Sequence, residues 1–238
     1  MKNVNSLNLK LITAATSAVA LFSSTSLMAI EKGDILINAR ILNVAPDVSS
    51  NQIIAGGLPL APPAGVDVDD AYSLGIDITY MMSNNFGIEL MLDTSSNHDI
   101  QGTGNLTGVT IGDVRVLPPS LIAVWYFSPN KKIRPYVGAG INYTIFFNEG
   151  TTGQFTNTMN TILGGGVTST DVSVDNAFGL LAQVGVDIDI TDSWYLSLDA
   201  KYIDLDTTAT VKVNGASAAT VDFDVNPLVL GVGVGTKF

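Results

Sequence analysis

The feature that most constrains the fold of this chain is a strict alternation of side chains in two stretches that flank a polar turn. In residues 120–127 every second side chain, such as Leu121 and Trp125, falls on one face, and residues 136–145 repeat the alternation beyond the turn at 128–132. A period of two, in stretches rich in β-branched and aromatic residues, predicts β-strands and argues against helices. Each stretch is also about as long as a tilted strand must be to cross a membrane. The two stretches therefore predict a hairpin of a transmembrane β-barrel.

Six further stretches show the same alternation and extend this prediction to the whole chain. They are residues 34–44, 72–82, 86–94, 175–190, 194–206 and 221–238. The connections between the eight predicted strands alternate between long polar segments and short turns, which is typical of outer-membrane barrels with short periplasmic turns and long external loops. The sequence thus predicts an all-β fold, an eight-stranded antiparallel transmembrane β-barrel. It would lie in the outer membrane of a Gram-negative bacterium, with both termini in the periplasm.

The first 29 residues have the features of a secretory signal peptide. Lys2 and Lys10 precede a run of apolar and small residues, and cleavage is expected after Ala29. The remaining residues, 30–238, are expected to form the barrel as one domain. They carry nine basic and 22 acidic residues, a net charge of −13. This balance argues against nucleic acid as a partner, because the phosphates would be repelled.

The charges of the predicted strands fall on one face, which decides which face meets the membrane. No run of 18 apolar residues follows the signal peptide, although 46% of the chain is hydrophobic and only 14% is charged. A one-residue slip of the register would turn side chains such as Asp77, Glu89 and Lys201 outward. Each lysine at the bilayer midplane costs about 2–4 kcal/mol, so several such charges would cancel a typical stability of about 5–15 kcal/mol. The aliphatic face is therefore expected to contact outer-membrane lipid.

The inward face of the predicted barrel mixes charged and apolar side chains. The predicted lumen-lining residues are Leu36, Arg40, Asp77, Glu89, Asp93, Ile122, Val124, Arg134, Leu181, Asp187 and Asp199. Because an eight-stranded barrel is only just wide enough for its own side chains, the charged members could pair into a plug. The apolar members could instead line a narrow passage. The residues alone leave both interpretations open.

Several segments also resemble those of a known family. They are FGIELML with HDI (86–100), LPPSLIAVWYF (117–127), RPYVGAGINYTIFF (134–147), GLLAQVGVDIDITDSWYLS (179–197), YIDLDT (202–207) and VNPLVLGVGVGTKF (225–238). Through these segments nearly the whole mature chain resembles the outer membrane protein W (OmpW/AlkL) family. The resemblance implies an eight-stranded barrel with a narrow, largely apolar lumen. It also implies passive passage of small hydrophobic molecules, which leave sideways through the barrel wall.

The same resemblance assigns roles to single residues. Family members narrow the lumen with an apolar residue on the third strand and a tryptophan on the seventh, and the matching positions are Met91 and Lys201. Lysine in place of tryptophan departs from an apolar constriction. The terminal Phe238 resembles the assembly signal of outer-membrane proteins, which implies the barrel-assembly machinery as a partner during biogenesis.

Pro118 and Pro119 precede the fourth predicted strand directly. Neither residue has a backbone N–H to donate, so strand pairing beside them is expected to be weak. This break is the predicted lateral exit.

His98 is the one histidine of the chain and the one candidate for acid–base catalysis. A lipid hydrolase would also need a serine on a strained turn, whose hydroxyl gives its proton to the histidine, and no serine is placed in that way. A lone histidine cannot build a metal site by itself. The sequence therefore predicts neither an enzyme nor a metal or cofactor.

Together these features predict a narrow passive channel for small hydrophobic solutes. The alternative is a closed structural or surface-recognition barrel that acts through its extracellular loops, where phages or bacteriocins would dock.

Overall fold

The computed structural model describes residues 28–50, 54–55, 58–59 and 64–238, so the predicted signal peptide lies outside the described part except for its last two residues. In chain order the strands are β1 (Ile35–Ala45), β2 (Ser49–Ser50), β3 (Ile54–Ala55), β4 (Leu58–Pro59), β5 (Ala64–Val68), β6 (Ala71–Met81), β7 (Phe86–Asp93), β8 (Ser96–Gly104), β9 (Thr110–Leu117), β10 (Ser120–Tyr126), β11 (Ile133–Thr151), β12 (Thr170–Val174), β13 (Ala177–Asp189), β14 (Trp194–Val213), β15 (Ala216–Asp224) and β16 (Leu228–Lys237). A helix, α1 (Gly153–Ile162), lies between β11 and β12. Among the described residues, no helix has the length and apolarity needed to span a membrane.

Eight of these strands pair in a closed antiparallel ring. The order is β1, β6, β7, β10, β11, β13, β14 and β16, and β16 pairs with β1 to complete the circuit. Both edges of every ring strand are therefore occupied, which removes the unpaired edges that a membrane does not tolerate. The predicted eight-stranded antiparallel barrel is confirmed.

The two ends of the ring differ. Three short connections, at residues 82–85, 127–132 and 190–193, lie at one end, which we call the turn end. The chain enters β1 and leaves β16 at this end, where Ile35 and Phe238 exchange two backbone hydrogen bonds of 2.9 Å. At the opposite end, the loop end, β11 and β14 continue beyond the ring as strands of 19 and 20 residues.

The expectation that the long connections would be loops was wrong. Residues 96–117 form the hairpin β8–β9, and β14 continues as far as Val213 to pair with β12 and β15. The predicted last strand, 221–238, divides at residues 225–227 into the end of β15 and the start of β16. Thr, Asn and Gly in these segments indicated turns, but neighbouring strands supply the hydrogen bonds that stabilise an extended backbone.

The alternation of exposure fixes the register of the ring as predicted. Along β6 every second residue is buried, so that Asp77 is 1% exposed while its neighbour Ile76 is 50% exposed. Exposed aliphatic side chains, among them Leu90, Leu121 and Val232, continue this pattern around the wall. The outer surface of the ring is thus largely apolar, and Asp77, Glu89 and Asp187 lie inside it. The exposed carboxylates of β14, Asp204 and Asp206, lie toward the loop end.

We expect Ile76→Lys to lower the free energy of unfolding in lipid vesicles by about 2–4 kcal/mol, because it places a cation among acyl chains. Ile162→Lys is the matched control, since Ile162 is exposed on α1, outside the ring, and should change stability by less than about 0.5 kcal/mol. Urea titrations followed by tryptophan fluorescence measure both. Equal losses would contradict the assignment of the lipid-facing surface.

Candidate functional site

A group of charged side chains crosses the middle of the barrel. Arg40 on β1 forms ion pairs with Asp77 on the neighbouring β6 and with Asp199 on β14, and Lys201 also pairs with Asp199. Glu89 accepts hydrogen bonds from Thr79 Oγ1 at 3.2 Å and Gln183 Nε2 at 3.3 Å, and lies 3.9 Å from Arg40. We call Arg40, Asp77, Glu89, Asp199 and Lys201 the central ion cluster. All five residues are buried, and buried charges persist in this way only when they are paired.

A second polar layer closes the barrel nearer the turn end. Arg134 pairs with Asp189, and its guanidinium carbon lies 5.2 Å from the centre of the Tyr195 ring. The Tyr126 hydroxyl donates a hydrogen bond of 3.1 Å to Asp187. These side chains are fully buried, so little space remains between them. At this level the interior is filled by a plug of paired polar side chains.

Glycines on the inner face make room for the bulky side chains of this layer. A Cβ atom at Gly185 would overlap the Tyr136 ring, and one at Gly235 would overlap the Tyr195 ring. An eight-stranded barrel is just wide enough for its side chains, so large residues on one strand require the smallest residue on a neighbouring strand. These inner glycines therefore have a packing role.

Above the central ion cluster, at the loop end, lies a cavity with a different character. Its volume is about 100 Å³, on a scale where one water molecule needs about 10–15 Å³. Its lining is almost wholly apolar and comes mainly from strands at the loop end, with Phe155 from α1. The strand residues include Val114, Val172, Val221 and Phe223. A lining of this kind suits a small hydrophobic molecule.

The sequence did not identify Val114, Phe155 and Val172 as lining residues, because they lie in segments that were interpreted as loops. Val221 and Phe223 lie in the last predicted strand, without a predicted role in a site. The alternation of Val114 and Val116 was a weak signal of them. Their convergence depends on pairings such as β8 with β9 and β14 with β15, which join distant parts of the chain.

The structure places the predicted lumen-lining residues inside the ring, but not all in one site. Leu36, Ile122, Val124 and Leu181 are buried between the strands, and Asp93 borders the cavity. The two residues of the predicted constriction separate: Met91 contributes to the cavity floor, whereas Lys201 belongs to the central ion cluster. Their joint role as a constriction stays a prediction.

The wall of the ring has a break beside the two prolines. Strand β7 pairs with β10 as far as Met91 and Ser120, and pairing resumes between β8 and β9 at Ser96 and Val116. No ladder pairs join the residues in between, and Pro118 of this stretch also lines the cavity. The break therefore lies between the cavity and the outside of the barrel.

Polar side chains of β10 and β11 form hydrogen bonds with the backbone at this break, on the inner side of the barrel. Asn142 Nδ2 donates to the carbonyl oxygen of Pro118 at 3.1 Å, and the Ser120 hydroxyl donates to the same oxygen at 3.1 Å. Thr144 Oγ1 in turn donates to Asn142 Oδ1 at 2.5 Å. All three polar residues are buried. Sequence reasoning missed this group, although an asparagine on the inner face of an apolar strand was a usable signal.

His98 lies on β8 at the edge of the cavity, outside the ring. Its Nδ1 is 2.8 Å from the Asp69 carbonyl oxygen, which can only accept, so Nδ1 carries a proton. Burial lowers the pKa of His98. In the neutral imidazole, Nε2 accepts a hydrogen bond from the Ser96 hydroxyl at 2.9 Å. Among the described residues, no group of three or more potential metal ligands converges.

We expect Arg40→Met to lower the free energy of unfolding by about 3–5 kcal/mol, because it leaves the buried Asp77 without its cation and Asp199 with Lys201 alone. Arg115→Met, at an exposed position of β9, is the control and should change stability by less than about 0.5 kcal/mol. Urea unfolding in lipid vesicles measures the difference. The double variant Arg40→Met/Asp77→Asn should recover part of the loss, and a loss in Arg40→Met as small as in the control would show that the cluster is hydrated.

Comparison with known proteins agrees with this architecture. The model of the OmpW family matches residues 31–238. Outer membrane protein W of Vibrio cholerae is 35% identical over 225 residues, which cover 93% of this chain and 96% of that protein. The crystal structure of the outer membrane protein OprG from Pseudomonas aeruginosa superimposes with a TM-score of 0.79 at 30% identity, covering 90% of this chain and 99% of OprG.

A more distant relative carries a name that refers to metabolism. The dibenzothiophene metabolism operon protein PahQ of Pseudomonas aeruginosa is 25% identical over 196 residues, which cover 82% of this chain and 84% of that protein. The family match spans the entire ring of strands and its extensions. This chain therefore belongs to the OmpW family of outer-membrane β-barrel proteins.

Proposed function

We propose that this protein is a passive channel that admits small hydrophobic molecules into the outer membrane and releases them sideways through the barrel wall. The observation that carries the proposal is the apolar cavity at the loop end, which lies directly above a barrel filled with paired charges.

The filled barrel makes an axial route unfavourable for an apolar solute. Such a solute would have to separate Arg40 from Asp77 and Asp199, and breaking a buried ion pair costs about 3–5 kcal/mol. A hydrocarbon cannot form interactions with these charged groups that would offset the cost of separating them. Taken alone, this filling favours the alternative of a closed structural or surface-recognition barrel, so the cavity is what distinguishes the two.

The break at Pro118 offers the shorter way out. Pro118 lines the cavity on the inside, while Leu92 and Leu121 on either side of the break are exposed on the outer, aliphatic surface. A solute that leaves the cavity here moves from one apolar environment to another. The name of PahQ, which refers to the metabolism of an apolar heterocycle, supports a hydrophobic solute.

The orientation follows from the two unlike ends. We place the turn end and both chain termini in the periplasm, and the loop end with its cavity outside, since external connections are the long ones in such barrels. Phe238 is exposed on the aliphatic surface beside β1, where it serves as the signal for the barrel-assembly machinery. The strand extensions would be the docking surface for phages or bacteriocins.

We expect Pro118→Val/Pro119→Val to reduce naphthalene uptake severalfold in cells that express the protein. Valine at 118 restores an N–H donor on the side of β7, and valine at 119 restores one on the side of β11, where the carbonyl of residue 119 already accepts from Tyr143. Pro135→Val is the matched control: this proline lies on β11 near the turn end, away from the cavity. Uptake should be compared at equal amounts of folded protein, judged by heat-modified gel mobility.

Two results would contradict this account. Unchanged uptake in the double variant would remove the lateral exit at Pro118. Equal uptake by cells with and without the wild-type protein would remove the channel itself and favour the closed barrel.

A further inference from the structure

We infer that Asp93 and Ser73 form a hydrogen-bond-accepting subsite in the apolar cavity, which selects small apolar molecules that carry a hydroxyl or amine group. This inference rests on the proposed function, because it concerns the same cavity. It goes further by naming the chemical class of the solute and the residues that recognise it.

The two residues lie side by side on the inner surface. Asp93 ends β7 opposite Gly75 of β6, and Ser73 lies two residues beyond Gly75 on the same inward face. Such diagonal neighbours are about 7–8 Å apart in an antiparallel pair. Asp93 is 8% exposed and Ser73 is 7% exposed, and both border the cavity.

Neither side chain is satisfied by the protein. Within the described residues, Asp93 Oδ1 and Ser73 Oγ have no hydrogen-bond partner, and no ion pair involves Asp93. Asp199, also inside the barrel, is paired with two cations, whereas Asp93 is paired with none among the described residues. A buried polar atom without a partner costs about 1–3 kcal/mol, which a ligand donor would recover.

The local packing keeps the carboxylate in this position. A Cβ atom at Gly75 would lie 2.5 Å from Asp93 Oδ1, so a glycine opposite Asp93 leaves the space that the carboxylate needs. The nearby Ser96 donates its hydroxyl proton to His98 and can only accept a further hydrogen bond. This part of the cavity therefore presents acceptors, while the rest of the lining is almost wholly apolar.

Such an arrangement discriminates between solutes of the same shape. A solute with an apolar body and one O–H or N–H group can pair with the subsite and still fill the cavity. A pure hydrocarbon fills the cavity but leaves the buried acceptors unpaired, so it binds more weakly than an analogue that carries the polar group. The expected solutes are therefore alcohols, phenols or amines with a compact hydrocarbon body.

The test compares two isosteric probes, 4-fluorobenzyl alcohol and 4-fluoroethylbenzene, by ¹⁹F NMR in lipid nanodiscs with and without the full protein. Empty nanodiscs correct for partitioning of each probe into lipid. We expect the wild-type protein to bind the alcohol at least about tenfold more tightly than the hydrocarbon. In Asp93→Leu the ratio should fall to about twofold or less, with hydrocarbon binding kept or strengthened, and Ser73→Ala should lower it partially.

The control is Asp171→Leu, the same substitution at an exposed position of β12, which should retain the wild-type ratio. Equal affinities for the two probes in the wild-type protein would overturn the subsite and leave the proposed channel for hydrocarbons standing. A preference that survives in Asp93→Leu would overturn the role of Asp93. Binding of neither probe would overturn both the subsite and the channel.

Discussion

The structure depends on one constraint: inside a bilayer, every backbone N–H and C=O must find its partner within the protein. The closed circuit from β1 through β6, β7, β10, β11, β13, β14 and β16 back to β1 meets it without any edge. Closure also separates the two faces of every strand, because period-two side chains can point only to lipid or to the interior. The apolar wall and the charged interior are both consequences of that separation.

The width of the ring decides what the interior can do. Eight strands leave room for side chains but not for an open aqueous pore, so charges directed inward must pair with one another. They do so in two layers, around Arg40 and around Arg134, and glycines such as Gly235 leave space for the tyrosines beside them. The interior is thereby closed over the part of its length that lies between these layers.

The proposed function depends on the part of the barrel beyond the filled interior. Above Arg40 the ring strands continue toward the loop end with mostly uncharged inner faces. Strands β8, β9, β12 and β15 complete the enclosure. Its lining is apolar except at Asp93, Ser73 and their neighbours. The break at Pro118 is at the same level. Under the proposed function, a cavity that is closed below by charges and weakly closed at one side would direct an apolar solute toward the membrane, and its few unpaired polar atoms would give it a basis for selection.

The sequence by itself determined the ring, because alternation is local: residues 72–82 or 120–127 show which side chains share a face without reference to any partner. It also placed Asp77, Glu89 and Asp187 in the interior, since the cost of exposing charge to lipid excludes the other register. Only the tertiary structure decided that Arg40 joins Asp77 to Asp199, that Met91 and Lys201 lie in different sites, and that the polar connections are strands around a cavity. These features depend on contacts between residues such as Arg40 and Asp199, 159 positions apart. Pairing at that distance follows from the closure of the ring, and no periodic pattern in the sequence reveals it.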